Sequence, residues 1–294
     1  MTSLSGVGFA CASATVVNAM STGKGAAFGV DLWLEARVKL SSSFRGVKGR
    51  VVGMKESPRL IELCVKEVLK KFGADNLGAR VITYSDIPVA VGLSSSSAAA
   101  NAAVLATLMA LGEKLEPQEV LEIGVKVAIE SGVTVTGAFD DAAASLLACG
   151  VITDNEKKRI LKTFEVDPSL KVAIHIPRGK KLYSGSLRGM DFSSIAEGIE
   201  KVHQMALEGE IWTAMTLNGI LYASVLKHDL APTFLALSSG VSAAGLTGKG
   251  PATVAIGTPE KIAEVAKKWK SLGGRIIITS PARRWISDEI AGNR

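Results

Sequence analysis

The sequence predicts an α+β protein, on the basis of two local patterns and their order along the chain. Residues 28–40 alternate between apolar and polar side chains, which is typical of a strand with one buried face. Residues 60–72 repeat apolar side chains at helical spacing, and Gly73 follows them as a stop signal. Strand-like and helix-like stretches then succeed one another without a regular βα repeat, which favours α+β over a doubly wound parallel sheet.

The elements of the first half follow from local signals. In the alternating stretch the even positions from Phe28 to Leu40 are apolar, so this face is expected to pack against a core. The first helix is predicted to begin with Ser57 as N-cap and Pro58 at the first helical position. The other predicted elements are strands at residues 49–54 and 80–84, an Ala-rich helix ending near residue 111, a helix at residues 117–131 and a helix from about residue 139.

A charged, irregular stretch at residues 153–170 predicts a boundary between two parts of the chain. The elements predicted beyond it are strands at residues 171–176, 253–256 and 275–279, helices between residues 193 and 226, a helix near residue 232 and a helix at residues 259–272.

The composition limits the classes of function. With 47% hydrophobic and 21% charged residues, the chain has the balance of a globular protein, not of a disordered or coiled-coil one. The longest weakly polar run, residues 97–112, is shorter than the ~20 residues that a membrane-spanning helix needs. The three cysteines form neither a disulfide framework nor a metal-binding pair, and no secretory signal is recognisable, so we expect a cytoplasmic protein.

The charge balance indicates the kind of partner. A net charge of +6 favours anionic partners such as nucleotides, small acids or nucleic acid. No block of five or more Lys or Arg residues occurs, so a nucleic-acid-binding arm is not predicted.

The strongest local signal for chemistry lies at residues 88–98, where a glycine and four serines stand between a predicted strand and a predicted helix. A helix N-terminus leaves backbone N–H groups unpaired and favours negative charge, so this segment predicts an anion site. Small side chains would let a phosphate approach the backbone, and a serine hydroxyl could bind Mg²⁺. The alternative from composition alone is a flexible serine-rich turn. The segment is not a GxxxxGK[ST] phosphate loop.

Three segments in the same order resemble the GHMP small-molecule kinases. Residues 88–98 resemble the phosphate loop of that family, with Ser94 at a position that is usually Gly. Residues 137–142, Gly-Ala-Phe-Asp-Asp-Ala, resemble the segment that supplies the catalytic Asp of the family. Residues 247–252, Thr-Gly-Lys-Gly-Pro-Ala, resemble its C-terminal glycine motif. Three ordered motifs are more specific than any one of them.

The N-terminal segment narrows this resemblance, because residues 14–32 are similar to the archaeal type of shikimate kinase within the GHMP family. The resemblance implies a two-lobed α+β GHMP kinase fold, with an N-terminal lobe at residues 1–155 that carries the phosphate loop and a C-terminal lobe at residues 156–294. It also implies ATP-dependent phosphorylation of the 3-hydroxyl of shikimate, in chorismate and aromatic amino-acid biosynthesis, with ATP and Mg²⁺.

The resemblance further implies roles for individual residues. Asp140 is the expected general base, with its neighbour Asp141 as the alternative, and Ser96 and Glu130 are the expected Mg²⁺ ligands. The expected ATP-binding residues are Pro88, Val89, Ala90, Val91, Gly92, Leu93, Ser94, Ser95, Ser96, Ser97, Ala98, Gly248 and Gly250.

The residues expected to bind shikimate are Asn18, Thr22 and Lys24, and Arg283 and Arg284 are secondary candidates. Two alternative functions stay open. One is a GHMP kinase that acts on another small acid or alcohol, such as homoserine or mevalonate. The other is a basic nucleic-acid-binding protein, since the N-terminal lobe of the family resembles a ribosomal-protein fold; the low aromatic content and the absence of a basic stripe argue against it.

Overall fold

A computed structural model describes residues 4–53, 56–134, 137–179 and 189–283, and these residues form two β-sheets with packed helices. The α+β prediction is confirmed. The strands are β1 (Leu4–Val17), β2 (Lys24–Ser41), β3 (Val47–Val51), β4 (Gly78–Ser85), β5 (Gly150–Asp154), β6 (Arg159–Phe164), β7 (Lys171–Ile176), β8 (Ala243–Leu246), β9 (Thr253–Gly257) and β10 (Arg275–Thr279). The helices are α1 (Arg59–Lys71), α2 (Ser95–Leu111), α3 (Pro117–Glu130), α4 (Phe139–Leu147), α5 (Ser193–Glu208), α6 (Ile211–Val225), α7 (Ala231–Leu237) and α8 (Pro259–Trp269).

The first sheet has the order β3-β4-β2-β5-β6, and β1 pairs antiparallel with β2 along nearly its whole length. Strand β2 is long enough to pair with β4 at one end and with β5 at the other. Its apolar even positions are buried at Phe28 and Leu40, as the alternation predicts. The pairing of β1 with β2 is irregular between Cys11 and Ala12, where the side-chain alternation of a strand shifts.

Helix α2 lies unusually close to β1, and small side chains make this contact. A Cβ atom on Gly8 would stand 2.3 Å from the carbonyl oxygen of Ala102. Since a contact this short is sterically forbidden, only glycine fits at this position of β1. The close packing explains the low aromatic and high Ala content of the sequence, and it fixes the direction in which the N-terminus of α2 points.

The second sheet has the order β10-β7-β9-β8 and carries helices α7 and α8, with Trp269 buried between them and the sheet. It meets the first sheet where the chain leaves β10, because Pro281 forms a bridge with Val30 and the Asp31 N–H donates to the Ser280 carbonyl at 2.9 Å. The two sheets are thus joined through the middle of β2.

Four strands were not predicted, namely β1, β5, β6 and β8, and β6 lies within a stretch that was predicted to be irregular. The sequence of β1 is built from Gly, Ala, Ser, Cys and Val, so it lacks the contrast between polar and apolar positions that reveals a strand. Strand β8 is only four residues long. Strand β6 lies inside the stretch at residues 153–170, so that part of the prediction was wrong; its side chains are largely exposed at a sheet edge.

The pairing of β6 with β5 extends the first sheet past residue 155, to Phe164. The change from the first sheet to the second falls between residues 164 and 171. The division of the chain at residue 155 stays a prediction. Of the helices in the described part of the chain, none combines the length and apolarity required to cross a bilayer.

Candidate active site

A cleft of about 450 Å³ brings together segments that are distant in the sequence. It is lined by the end of β1, by the segment that leads into α2, by the first turn of α4 and by the loop that follows β8. The predicted site residues that line it are Asn18, Val89, Ala90, Gly92, Leu93, Ser94, Ser95, Ser96, Ser97, Asp140 and Gly248. Three predicted motifs therefore converge on one cavity.

The N-terminus of α2 opens onto this cleft. The first helical residues, Ser95, Ser96 and Ser97, have backbone N–H groups without a preceding helical turn to accept them, so they can bind an anion. Ser94 stands before them with φ +58° and ψ +31°, the left-handed conformation that glycine adopts most readily. The chain thus keeps the backbone shape that the usual glycine of the family motif would allow, at the cost of some strain.

The phosphate-loop segment is supported from behind by the loop that follows β8. A Cβ atom on Gly92, whose φ is +90°, would stand 2.1 Å from the Thr247 carbonyl oxygen, so the two backbones touch. The Thr247 hydroxyl donates to the Gly92 carbonyl at 2.9 Å, and the Ala252 N–H donates to the Val91 carbonyl at 3.1 Å. We conclude that the two loops form one structural unit.

The two glycines of the second loop have different surroundings. Gly248 lines the cleft, and its N–H donates to the Thr15 hydroxyl at 2.8 Å. Gly250 is buried, and a Cβ atom there would stand 2.7 Å from the His228 ring. Its position supports the loop and does not face the cavity. Pro88, Val91 and Ala98 likewise lie in the loop and helix without lining the cleft.

An acidic pair lies in the first turn of α4. Burial, followed by the nearby charge of Asp141, raises the pKa of Asp140 to about 7, although a hydrogen bond from Asn155 opposes this rise. Burial also raises the pKa of Asp141, against hydrogen bonds from Ser94 and Ser13 and the positive charge of Lys249. The two carboxylates therefore have different partners, and the negative charge of Asp141 disfavours ionisation of Asp140.

The partners show which way each acid faces. Asp141 lies on the phosphate-loop side, since Ser13 Oγ is 2.9 Å from its Oδ1 and 2.5 Å from Ser94 Oγ. Asp140 lies on the β2 and β5 side, where Asn155 contacts it. Its charge also reaches Tyr222, and burial raises the pKa of that phenol to about 12. The two neighbouring carboxylates thus contact different elements while both line the same cleft.

Lys249 is the one Lys, Arg or His among the described residues that line the cleft. Burial lowers the pKa of its ammonium group, and the nearby Asp141 carboxylate opposes that change. The sequence signal was present, because this lysine lies inside the predicted glycine motif at residues 247–252, but no role was assigned to it there. Its charge complements the phosphates that the α2 N-terminus would bind.

The predicted substrate residues are only in part at the cleft. Asn18 lines it, yet its side chain supports the local fold: Nδ2 donates to the Gly248 carbonyl at 2.8 Å, and Oδ1 accepts from Met20 N–H at 3.0 Å. Thr22 and Lys24 do not line the cleft, and Lys24 pairs with Glu200 of α5. Their role in substrate binding stays a prediction that the geometry does not favour.

The remaining candidates lie away from the cavity lining. Glu130 is exposed at the end of α3, so it is not brought to the cleft beside Ser96. Arg283 is exposed after the bridge between Pro281 and Val30, and Arg284 lies outside the described residues. Among the described residues there is no cluster of three or more His, Cys, Asp or Glu side chains suited to a metal. Glu130 stays a predicted Mg²⁺ ligand without geometric support.

Similarity to known proteins agrees with this site. The family model described as the GHMP kinase N-terminal domain matches residues 59–149, which include the phosphate loop and the acidic pair. The fold resembles the homoserine kinase of Cytophaga hutchinsonii, with a TM-score of 0.77, 17% identity and 96% of each chain covered. It also resembles the mevalonate kinase of Methanococcus jannaschii, with a TM-score of 0.73, 15% identity and coverage of 94% of this chain and 98% of that one. The fold is that of these kinases, and together with the relatives of higher identity the family model shows that the chain belongs to the GHMP kinase family.

Relatives with higher identity specify the branch. The shikimate kinase of Methanosarcina acetivorans is 47% identical over 278 residues, which cover 93% of both chains. The shikimate kinase of Pyrococcus abyssi is 42% identical, with 94% of this chain and 98% of the relative covered. Within the GHMP kinases the chain belongs with these archaeal shikimate kinases, so the predicted family and fold are confirmed.

Proposed function

We propose that the chain phosphorylates the 3-hydroxyl of shikimate with ATP, giving shikimate 3-phosphate and ADP, as a cytoplasmic enzyme of chorismate and aromatic amino-acid biosynthesis. The observation that carries the reaction type is the cleft in which the N-terminus of α2 opens beside a buried acidic pair. The identity of the acceptor rests on the shikimate kinase of Methanosarcina acetivorans, which is 47% identical to this chain with 93% of both chains covered.

In the proposed reaction the 3-hydroxyl oxygen of shikimate bonds to the γ-phosphorus of ATP. The bond between that phosphorus and the β–γ bridging oxygen breaks, ADP leaves, and the hydroxyl proton passes to Asp140. A carboxylate whose pKa is raised to about 7 by burial and by Asp141 is a stronger base than an exposed one. Since phosphoryl transfer depends mainly on positioning and charge neutralisation, the base supplies one part of the rate.

The phosphates of ATP are held by the backbone N–H groups at the start of α2. Lys249 neutralises charge on the transferred group, and Asp141 keeps the ammonium group of Lys249 directed to the cleft. The Ser96 hydroxyl, a hard oxygen donor that lines the cavity at the start of α2, fits Mg²⁺ together with the phosphate oxygens of ATP. When bound, the ion would offset the charge of the phosphate oxygens. The Asn18 amide donates a hydrogen bond to the Gly248 carbonyl and so maintains the shape of the cleft in which shikimate would bind.

The proposed acceptor is tested by a substrate panel. Purified protein is incubated with ATP and Mg²⁺ and, separately, with shikimate, homoserine, mevalonate or galactose, and ADP release is measured. We expect turnover with shikimate and little with the others. Turnover with a different acceptor alone would contradict the proposed substrate while leaving the kinase class intact. Salt-sensitive binding of nucleic acid with no turnover of any acceptor would favour the nucleic-acid-binding alternative.

The Ser96→Ala variant tests the role of this hydroxyl. We expect a large loss of kcat and a higher Mg²⁺ concentration at half-maximal activity, because an oxygen ligand is removed. Thermal stability should change little, because this side chain lies in the first turn of α2 and lines the cleft. The control is Ser97→Ala, one residue along the same helical turn. Steady-state kinetics over a range of Mg²⁺ concentrations check both variants. If Ser96→Ala keeps its turnover and its Mg²⁺ dependence, Ser96 is not the ligand.

A further inference from the structure

Asn155, which directly follows β5, contacts Asp140 with both ends of its side-chain amide. The Nδ2 atom lies 2.7 Å from Asp140 Oδ1, and the backbone N–H of Asp140 donates to Asn155 Oδ1 at 3.2 Å. Asn155 is buried, so these bonds are made away from competing water. The side chain therefore fixes the start of α4 and the carboxylate that this helix carries.

The orientation of this amide is determined by its other partners. Asn155 Oδ1 faces a backbone N–H, which can only donate, so the oxygen and not the nitrogen must stand there. The Thr153 hydroxyl lies 2.7 Å from the same oxygen and can donate to it. Asn155 Nδ2 then necessarily presents an N–H to Asp140, and a donor of this kind favours the ionised form of a carboxylate.

Asn155 is itself held by the edge of the first sheet. Its backbone N–H donates to the Gly23 carbonyl at 2.8 Å, where β5 pairs with the start of β2. On the opposite side, a Cβ atom on Gly25 would stand 2.7 Å from Asp140 Oδ2, so this oxygen lies directly against the strand. The carboxylate is thus confined between the Asn155 amide and the backbone of β2.

We infer that Asn155 is a positioning residue for phosphoryl transfer, which orients the Asp140 carboxylate and keeps it ready to accept a proton. This inference rests on the proposed function. It assigns a positioning role to Asn155, a residue that has no local sequence signal. The titratable groups around Asp140 are Asp141 on the same helix, Tyr222 on α6 and, through Asp141, Lys249 on the glycine loop. Glu56 lines the same cleft, and Lys24 on β2 is paired with Glu200.

The surroundings of Asp140 act in opposite directions on its pKa. Burial and the charge of Asp141 raise the pKa of Asp140, whereas the Asn155 amide lowers it. Without the amide the carboxylate would hold its proton to higher pH, and less of the enzyme would be active near neutral pH. The defect should therefore be largest in acid and should diminish as the pH rises. A residue with a purely structural role would not produce this pH dependence.

The test compares Asn155→Ala with wild-type enzyme and with Asp154→Asn, the adjacent residue, whose carboxylate pairs with Lys157. We expect the acid limb of the pH profile of kcat to move to higher pH by about one pH unit or more in Asn155→Ala. At pH values on the acidic side of this limb, kcat should fall about tenfold. The KM values for shikimate and ATP should change less. Asp154→Asn should keep the wild-type profile.

A second readout does not depend on turnover. The carboxyl carbon of Asp140 is titrated by NMR in the full-length wild-type protein and in Asn155→Ala, and the variant is expected to titrate at higher pH. If Asn155→Ala does not fold, Thr153→Val removes the hydroxyl beside Asn155 Oδ1 and should shift the titration in the same direction by less. An unchanged titration in a folded variant overturns the inference. An inactive wild-type enzyme with the expected titration shift instead contradicts the proposed function alone.

Discussion

Replacing Asp140 with Asn is expected to reduce kcat by a factor on the order of 10²–10⁴. Asparagine keeps the size of the side chain and can still accept the hydrogen bond from Asn155, but it cannot take a proton from the acceptor hydroxyl. The loss should fall on kcat more than on KM for shikimate, because the interaction matters most in the transition state. Steady-state kinetics at saturating ATP and Mg²⁺ measure it.

The matched control is Asp141→Asn, one residue along the same helix. Asp141 contacts Ser13 and Ser94 and is near Lys249, so its replacement should raise the KM for ATP and should affect kcat much less. The reverse result, with Asp141→Asn inactive and Asp140→Asn near normal, would show that Asp141 is the base. Full kcat in both variants would show that the enzyme works by positioning alone.

The Asp140→Asn variant also has an expected effect on thermal stability. The pKa of Asp140 rises from 3.8 in a model peptide to about 7 in the folded chain, because of burial first and Asp141 second. Between these values the folded protein binds a proton that the unfolded chain has released, so its stability falls as the pH rises from about 4 to 7. Asp140→Asn should therefore melt above wild type at pH 8, and the difference should shrink toward pH 4.

Replacing Lys249 with Met is expected to lower kcat by a factor on the order of 10²–10³, the usual cost of losing one group that stabilises developing charge. Methionine has a similar length and can occupy the half-buried position, so the change removes the charge and keeps most of the volume. The KM for ATP should also rise. Kinetics and thermal melts on the same preparations separate this effect from unfolding.

Lys24→Met is the matched control, since this lysine pairs with Glu200 and does not line the cleft. A surface ion pair of this kind contributes at most about 1 kcal/mol to stability, so the variant should remain folded and active. A strong rise in KM for shikimate in Lys24→Met would restore the sequence-based prediction that this lysine binds the substrate carboxylate. A normal kcat in Lys249→Met would exclude Lys249 from the transfer step.

The sequence predicted the parts of the site that depend on neighbouring residues. A glycine and serines before a helix make an anion site through backbone geometry alone, so residues 92–97 could be recognised locally and do line the cleft. Asp140 followed from its spacing after Gly137 in a motif. Helix α3 was predicted at residues 117–131 and ends one residue earlier, because Pro117 and its periodic apolar face are local signals.

The parts that were not predicted depend on contacts between distant segments. Ser13 meets Asp141 from 128 positions away, and nothing in the β1 sequence distinguishes this serine from its neighbours. Asn155 reaches Asp140 only because β5 pairs with β2. Glu130 was expected to bind Mg²⁺ from the resemblance to the GHMP kinases, and it stays a prediction because its side chain is exposed at the end of α3.

The support of the phosphate loop by the loop after β8 has a consequence for the synthesis of the chain. Thr15 bonds to Gly248 and Gly92 bonds to Thr247, over separations of 233 and 155 positions. Contacts of such high sequence separation form slowly, since a long segment must be ordered before they are gained. While the ribosome has yet to release residue 252, the phosphate loop lacks its support. We expect nucleotide binding to be acquired only after residue 252 has left the ribosome, so that a chain truncated before the second glycine loop has the α2 helix but no ATP site.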